Sequence, residues 1–139
     1  MASPTYTLQL VGLKCLEAQE LDGDEIVLRL NGAPVWSSGR FKLHHRPAGE
    51  AQVDQFDFAN GQRHGAAGWQ MLMPYNPGDY LFKDLVGDSF FELWEADPLN
   101  RHDDLGRARV SAGDAGRGQI SIVFAREGAQ YMLIYRVSV

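Results

Sequence analysis

Two acidic segments of the 139-residue chain carry the side chains best suited to binding a cation. The first holds five carboxylates within residues 17–25, and the second extends from Glu95 to Asp104. Carboxylate and amide oxygens are the ligands that Ca²⁺ prefers, and the ion takes about six to eight oxygens at one site. Crowded like charges destabilise a turn unless a cation or solvent offsets them. Both segments are therefore candidate calcium-binding loops, with solvated acidic turns as the alternative.

The second segment follows a predicted strand whose side chains alternate between two faces. Glu95 and Asp97 therefore share one face, with Cα atoms roughly 6.6 Å apart, so that two carboxylates can share one ion. Pro98 ends strand pairing just beyond them. Asn100 and Asp103 offer further oxygens as the chain returns. This loop alone can supply about half of the oxygen atoms that coordinate one Ca²⁺ ion.

The spacing of these residues resembles a loop of the C2 (C-two) domains, the calcium-dependent lipid-binding modules. That loop reads acid, any residue, Asp, five residues, Asp, two residues, Gly, and Glu95, Asp97, Asp103 and Gly106 match it without a gap. Asn100 falls where the family often has a coordinating Ser. The only departure in this loop is Glu95, which stands where the family usually has Asp, and the longer side chain can still chelate.

The first acidic segment resembles the first loop of the same family, which ends in Asp followed by an outgoing strand. Gly23–Leu30 matches that element, while Glu25 stands where the family usually has Pro, and the loop is at least one residue short. The earlier Asp of the family falls near Glu20, or at Asp22 if the loop is shorter. Together, the oxygens and the resemblance give the predicted calcium ligands: Glu20, Asp22, Asp24, Glu95, Asp97, Asn100 and Asp103.

The elements that must position these loops are predicted to be strands. Apolar residues alternate along most of the chain, and 15 glycines with 6 prolines interrupt them. No stretch of ten or more residues has a helical period, which favours a β-sandwich over a barrel or an α/β fold. Residues 1–139 are therefore predicted to form one all-β domain, an eight-stranded antiparallel β-sandwich, for which the resemblance implies a C2-like Greek key. Connections gather at the ends of a sandwich, so the two acidic loops can converge.

The middle of the chain has a weaker pattern. Residues 40–46 are predicted to form a strand that places Arg40, Lys42, His44 and Arg46 on one face, a basic stripe able to accept phosphates or an acidic partner. A solvated outer sheet face is the alternative. Residues 47–68 are predicted to be mostly a long loop, within which Gln52–Phe58 could form a strand.

Composition excludes several classes of protein. The net charge of -5 argues against a nucleic-acid-binding protein, and no apolar run is long enough for a transmembrane segment. The first residues show no secretory signal, and Cys15 is the single cysteine, so we expect a cytoplasmic protein. Only three of the thirteen basic residues are Lys, which hints at a GC-rich bacterial source.

Neither enzymatic nor zinc chemistry has a recognisable motif. The chain has no Gly-x-Ser-x-Gly elbow, and its adjacent histidines, His44 and His45, would point to opposite faces of a strand. We therefore expect a non-enzymatic module that binds Ca²⁺ and, through it, an anionic phospholipid membrane or a protein surface. Leu21 and Leu99, near the loop tips, could contact that surface. The competing hypothesis is a metal-independent structural or assembly protein with the same fold.

Overall fold

The computed structural model describes residues 4–19, 23–39, 41–44, 54–65, 68–72, 75–96 and 103–139. Within these ranges the chain forms eleven strands and two short 3-10 helices, Pro77–Tyr80 and Ala112–Asp114. The strands are β1 Thr5–Glu17, β2 Ile26–Leu30, β3 Ala33–Ser37, β4 Gln55–Asp57, β5 Gln62–Gly65, β6 Gly68–Met71, β7 Leu81–Val86, β8 Ser89–Glu95, β9 Asp103–Val110, β10 Gln119–Phe124 and β11 Gln130–Ser138.

The strands form two antiparallel sheets, which confirms the predicted all-β sandwich. One sheet has the order β10-β11-β1-β4-β5-β6, and the other has the order β3-β2-β8-β9. The 13-residue β1 is long enough to pair with β11 along one edge and with two shorter strands along the other. On that second edge β7 pairs with residues 5–9 of β1, and β4 pairs with residues 12–14. The described residues form eleven strands where the sequence predicted eight.

The interior lies between the two sheets, and the apolar side chains of the alternating strands fill it. In the first sheet Tyr6, Leu8 and Leu10 are buried, and Tyr131 to Val137 bury every second residue. In the second sheet Ile26 and Leu28 are fully buried and face the same interior. Strands of period two with one buried face are what such a sandwich requires.

Two turns that hold glycine connect neighbouring strands. Asn31 and Gly32 connect β2 to β3 with φ of 52° and 84°, the left-handed conformation that a two-residue hairpin needs and that Asn and Gly tolerate. Gly128 lies in the turn between β10 and β11, which pair from Gln119 to Phe124 as a hairpin.

The predicted strand at residues 40–46 is wrong for the described part, residues 41–44. Only Leu43 pairs there, through two backbone hydrogen bonds of 2.9 Å with Asp24. Leu43 is completely buried, so one inward leucine rather than a ladder anchors this segment. Lys42 and His44 flank it and are half-buried, whereas Arg40 and Arg46 lie outside the described residues.

Residues 47–68 contain more regular structure than predicted, because β4 and β5 form a hairpin within them. Their outward residues, among them Gln55, Asp57, Gln62 and His64, are polar, so the two strands show little apolar alternation. Further along the chain, residues 77–80 form a 3-10 turn that leads into β7, and the Asn76 side chain accepts a hydrogen bond from the Gly78 backbone at its start.

Candidate calcium site at one end of the sandwich

Both acidic segments reach the same end of the second sheet. The antiparallel register pairs Ile26 at the start of β2 with Glu95 at the end of β8, and Glu95 in turn with Asp103 at the start of β9. Beyond the last pair the Ala96 backbone amide still donates to the Glu25 carbonyl at 2.7 Å. Two segments that are about 70 residues apart in sequence thus leave the sheet side by side.

Glu95 points into the interior of the sandwich. It is only 2% exposed and shares a face of β8 with Phe91 and Leu93, both fully buried. Asp103 stands opposite it and is half-buried. Directly opposed residues of an antiparallel pair have Cβ atoms about 5 Å apart, and like charges in that position destabilise the sheet. This pair of carboxylates therefore suits a shared cation, and its hard oxygen donors suit Ca²⁺.

Asp24 is completely buried and connects the two sheets. Its Oδ2 accepts a hydrogen bond from the Tyr131 hydroxyl at 2.5 Å and another from the Gln19 backbone amide at 2.7 Å. Tyr131 belongs to β11 in the opposite sheet, and hydrogen bonds to an ionised carboxylate are among the strong ones. One oxygen of this predicted ligand thus has a structural role within the protein.

The phenol of Tyr131 is held in its neutral form. Burial raises the pKa of Tyr131 far above the ordinary value, and the electrostatic influence of the neighbouring Cys15 and Asp24 side chains raises it further. The native state therefore keeps this proton at a pH where an unfolded tyrosine, with a pKa of about 10, loses it. Stability from this group is complete below about pH 10 and declines as the pH rises above that value.

Above about pH 10, we expect the free energy of unfolding to fall less steeply with rising pH in a Tyr131→Phe variant than in the wild type. The difference in slope should approach about 1.4 kcal/mol per pH unit, the contribution of one proton retained only by the native state. Urea unfolding at several pH values from neutral to strongly alkaline measures both slopes. Parallel curves for the two proteins would contradict the assignment of a buried neutral phenol.

Sequence reasoning did not identify Asp54, another buried carboxylate at this end. Asp54 is 1% exposed, and its Oδ2 accepts from the His44 backbone amide at 2.9 Å, with His44 Nδ1 3.6 Å away. The Asp54 carbonyl accepts from the amide of Cys15, the residue paired with Tyr131. The only sequence signal is that Asp54 precedes the short alternation of β4. Its hydrogen bonds hold the segment containing Leu43 against the sandwich.

Three of the seven predicted ligands, Asp24, Glu95 and Asp103, belong to the described residues, and the register brings them to one end of the sandwich. The other four lie outside the described residues: Glu20, Asp22, Asp97 and Asn100. Among the residues that the structure describes, no three His, Cys, Asp or Glu side chains form a group able to hold a metal ion. The complete ligand set therefore stays a prediction.

No family model and no curated protein matches the sequence. Among solved structures, the chain is similar to a C2 domain at 14% identity and a TM-score of 0.40, over 97% of this chain and 98% of that one. It is also similar to human GIVD cytosolic phospholipase A2 at 12% identity and a TM-score of 0.41. That likeness covers 99% of this chain but 17% of the phospholipase chain.

The helices of the described residues are two short 3-10 turns, and neither is long and apolar enough to cross a membrane.

Proposed function

We propose that this chain is a calcium-binding β-sandwich module that binds Ca²⁺ with its acidic end loops and, through the ion, an anionic membrane or a protein surface. The observation that carries the proposal is the register that aligns Ile26, Glu95 and Asp103 at one end of the second sheet. Glu95 and Asp103 supply facing carboxylates there, and Asp24 of the first acidic segment lies two residues before Ile26 at the same end.

The bound ion would change the electrostatics of this end of the protein. The chain has a net charge of -5, so the metal-free loops repel anions and one another. A divalent cation between facing carboxylates neutralises their two negative charges and removes the repulsion of anions at this end. A phosphate or an acidic side chain can then approach the loops, which is an electrostatic switch.

The alternative function is a metal-independent structural or assembly protein. Specific observations favour it: carboxylates of both acidic segments have partners within the protein. Asp24 Oδ2 accepts from Tyr131 and Gln19, and the two oxygens of Asp104 accept from the Gly106 amide and the Arg126 guanidinium. Such hydrogen bonds satisfy the carboxylates without a metal ion.

Thermal melting in chelator and then in millimolar Ca²⁺ tests the proposal. Binding to the native state must raise the midpoint, and at an ion concentration of 100 times Kd the added stability is about 2.7 kcal/mol. A Glu95→Gln/Asp103→Asn double variant should melt at the same temperature with and without Ca²⁺. Asp88→Asn is the matched control, because Asp88 immediately precedes β8 and so lies at the opposite end of that strand. It should keep the full shift.

The two hypotheses predict different melting curves. If millimolar Ca²⁺ leaves the wild-type midpoint unchanged, the calcium function is wrong and the metal-independent one is favoured. If Ca²⁺ raises the midpoint, sedimentation with vesicles of phosphatidylserine and phosphatidylcholine separates membrane binding from calcium that only stabilises the fold. Membrane binding should require Ca²⁺ and should weaken as salt concentration rises.

A further inference from the structure

The sandwich is closed along one side and carries a cleft along the other. On the closed side Gly106 of β9 packs directly against Phe124 of β10. On the other side Trp36 of β3 packs on Phe56 of β4, with ring centroids 4.4 Å apart, and a cleft of about 510 Å³ lies between β3 and the strands β4 to β6 of the other sheet. Its volume is that of ordinary small-molecule sites, roughly 300–1,000 Å³.

Arg63 lines this cleft with its guanidinium held in place by uncharged neighbours. The guanidinium lies over the Phe41 ring, 4.4 Å from its centroid, and donates from Nε and Nη2 to Gln70 Oε1 at 3.3 and 3.0 Å. A Cβ atom at Gly65 would come within 2.8 Å of the Phe41 ring, so Gly65 lets this ring lie close to β5. Within the part of the chain that the structure describes, no carboxylate pairs with Arg63.

The other walls combine hydrogen-bond donors with apolar surface. The hydroxyl oxygen of Ser38 accepts from the Ile26 amide at 2.9 Å, so its own proton stays available to a second acceptor. Tyr80 is half-buried, and its phenol hydroxyl provides a second hydrogen-bond donor in the wall. Met71 and Leu72 provide apolar contacts beside these groups, and Met71 is about half exposed.

We propose that this cleft binds a small organic anion, with a carboxylate or phosphate paired to Arg63 and a compact aromatic body against Met71, Leu72 and Tyr80. A planar guanidinium that is already fixed by stacking binds such groups through two parallel hydrogen bonds at little entropic cost. Since no carboxylate of the described residues pairs with Arg63, its charge stays available to attract an anion in a protein of net charge -5. The site does not depend on the proposed calcium function.

Isothermal titration with 2-naphthoate and with 2-naphthyl phosphate tests the proposal on the full chain. Both probes are titrated up to about 10 mM, which would saturate even a site of millimolar Kd. We expect saturable binding of at least one probe, weakened by about tenfold or more in Arg63→Met, which loses the charged hydrogen bonds. Arg107→Met is the matched control, since Arg107 stacks on Phe90 in β8 of the other sheet. It should bind as the wild type does.

Each outcome decides the proposal. Binding of only one probe supports it and identifies the anionic group as a carboxylate or a phosphate. The proposal is overturned if neither probe saturates, if Arg63→Met binds as tightly as Arg107→Met, or if neutral 2-naphthalenemethanol binds as tightly as the anions. Arg63→Lys keeps the charge without the planar fork, and circular dichroism melting confirms that all variants are folded. Binding by Arg63→Lys should fall between that of wild type and Arg63→Met.

Discussion

The free energy of unfolding of an Asp24→Ala variant is expected to be about 3 kcal/mol lower than that of the wild type, even in chelator. The substitution removes the acceptor of both the Tyr131 hydroxyl and the Gln19 amide. Tyr131 is fully buried, and a buried donor left without an acceptor costs about 1–3 kcal/mol, more where the lost partner was charged. Urea unfolding at neutral pH, followed by circular dichroism, measures the loss.

Two further variants show whether the hydrogen bonds cause this loss. Asp24→Asn keeps an oxygen that can accept from Tyr131, so it should lose clearly less stability than Asp24→Ala. Asp88→Ala removes a half-exposed carboxylate that lies 3.7 Å from Arg109, and it should change stability by no more than about 0.5 kcal/mol. If Asp24→Ala behaved like Asp88→Ala, Asp24 would not join the two sheets, and a role confined to metal binding would become the better account.

The fold was predictable where a strand has one apolar face. Leu8 and Leu10, or Leu133 and Tyr135, alternate with polar residues because one face of their sheet packs on the interior. The sequence allowed a strand over Gln52–Phe58, which contains β4, but it did not predict the hairpin with β5, because the paired residues Gln55 and His64 are polar and the two strands have only three and four residues. Pairing with β1 holds β4, and the paired residues, such as Leu13 and Phe56, are far apart in sequence.

The candidate site was predictable in its position but not in its hydrogen bonds. The acidic composition and spacing marked Asp24, Glu95 and Asp103, and the register of β2, β8 and β9 places the strand ends that flank the two loops side by side. The sequence could not show that Asp24 accepts from Tyr131, because that contact spans 107 positions and depends on how the sheets pack. Asp54 was missed for the same reason: only packing reveals its burial.

Gly106 ends the spacing that resembles a calcium loop, and the structure gives it a role that needs no ion. Its φ is +146°, in a region that is essentially restricted to glycine. An added Cβ would lie 2.9 Å from Phe124 Cδ1 and 3.2 Å from Phe124 Cβ. The register shift between Leu93 and Trp94 lies directly opposite, where the Asp104 Oδ1 accepts from the Gly106 amide at 2.9 Å. The glycine thus lets β9 approach β10 on the closed side of the sandwich.

We therefore expect Gly106→Ala to lose about 3 kcal/mol or more, since backbone strain and overpacking each cost about 1–3 kcal/mol. Gly128→Ala is the matched control: its φ is +80°, but no heavy atom lies within 4 Å of an added Cβ. It should lose only about 1 kcal/mol, from strain alone. Urea unfolding in chelator compares the two variants. Equal losses would mean that Phe124 yields to the methyl group, whereas a loss at Gly106 that appears only with Ca²⁺ would assign this glycine to the ion-binding loop instead.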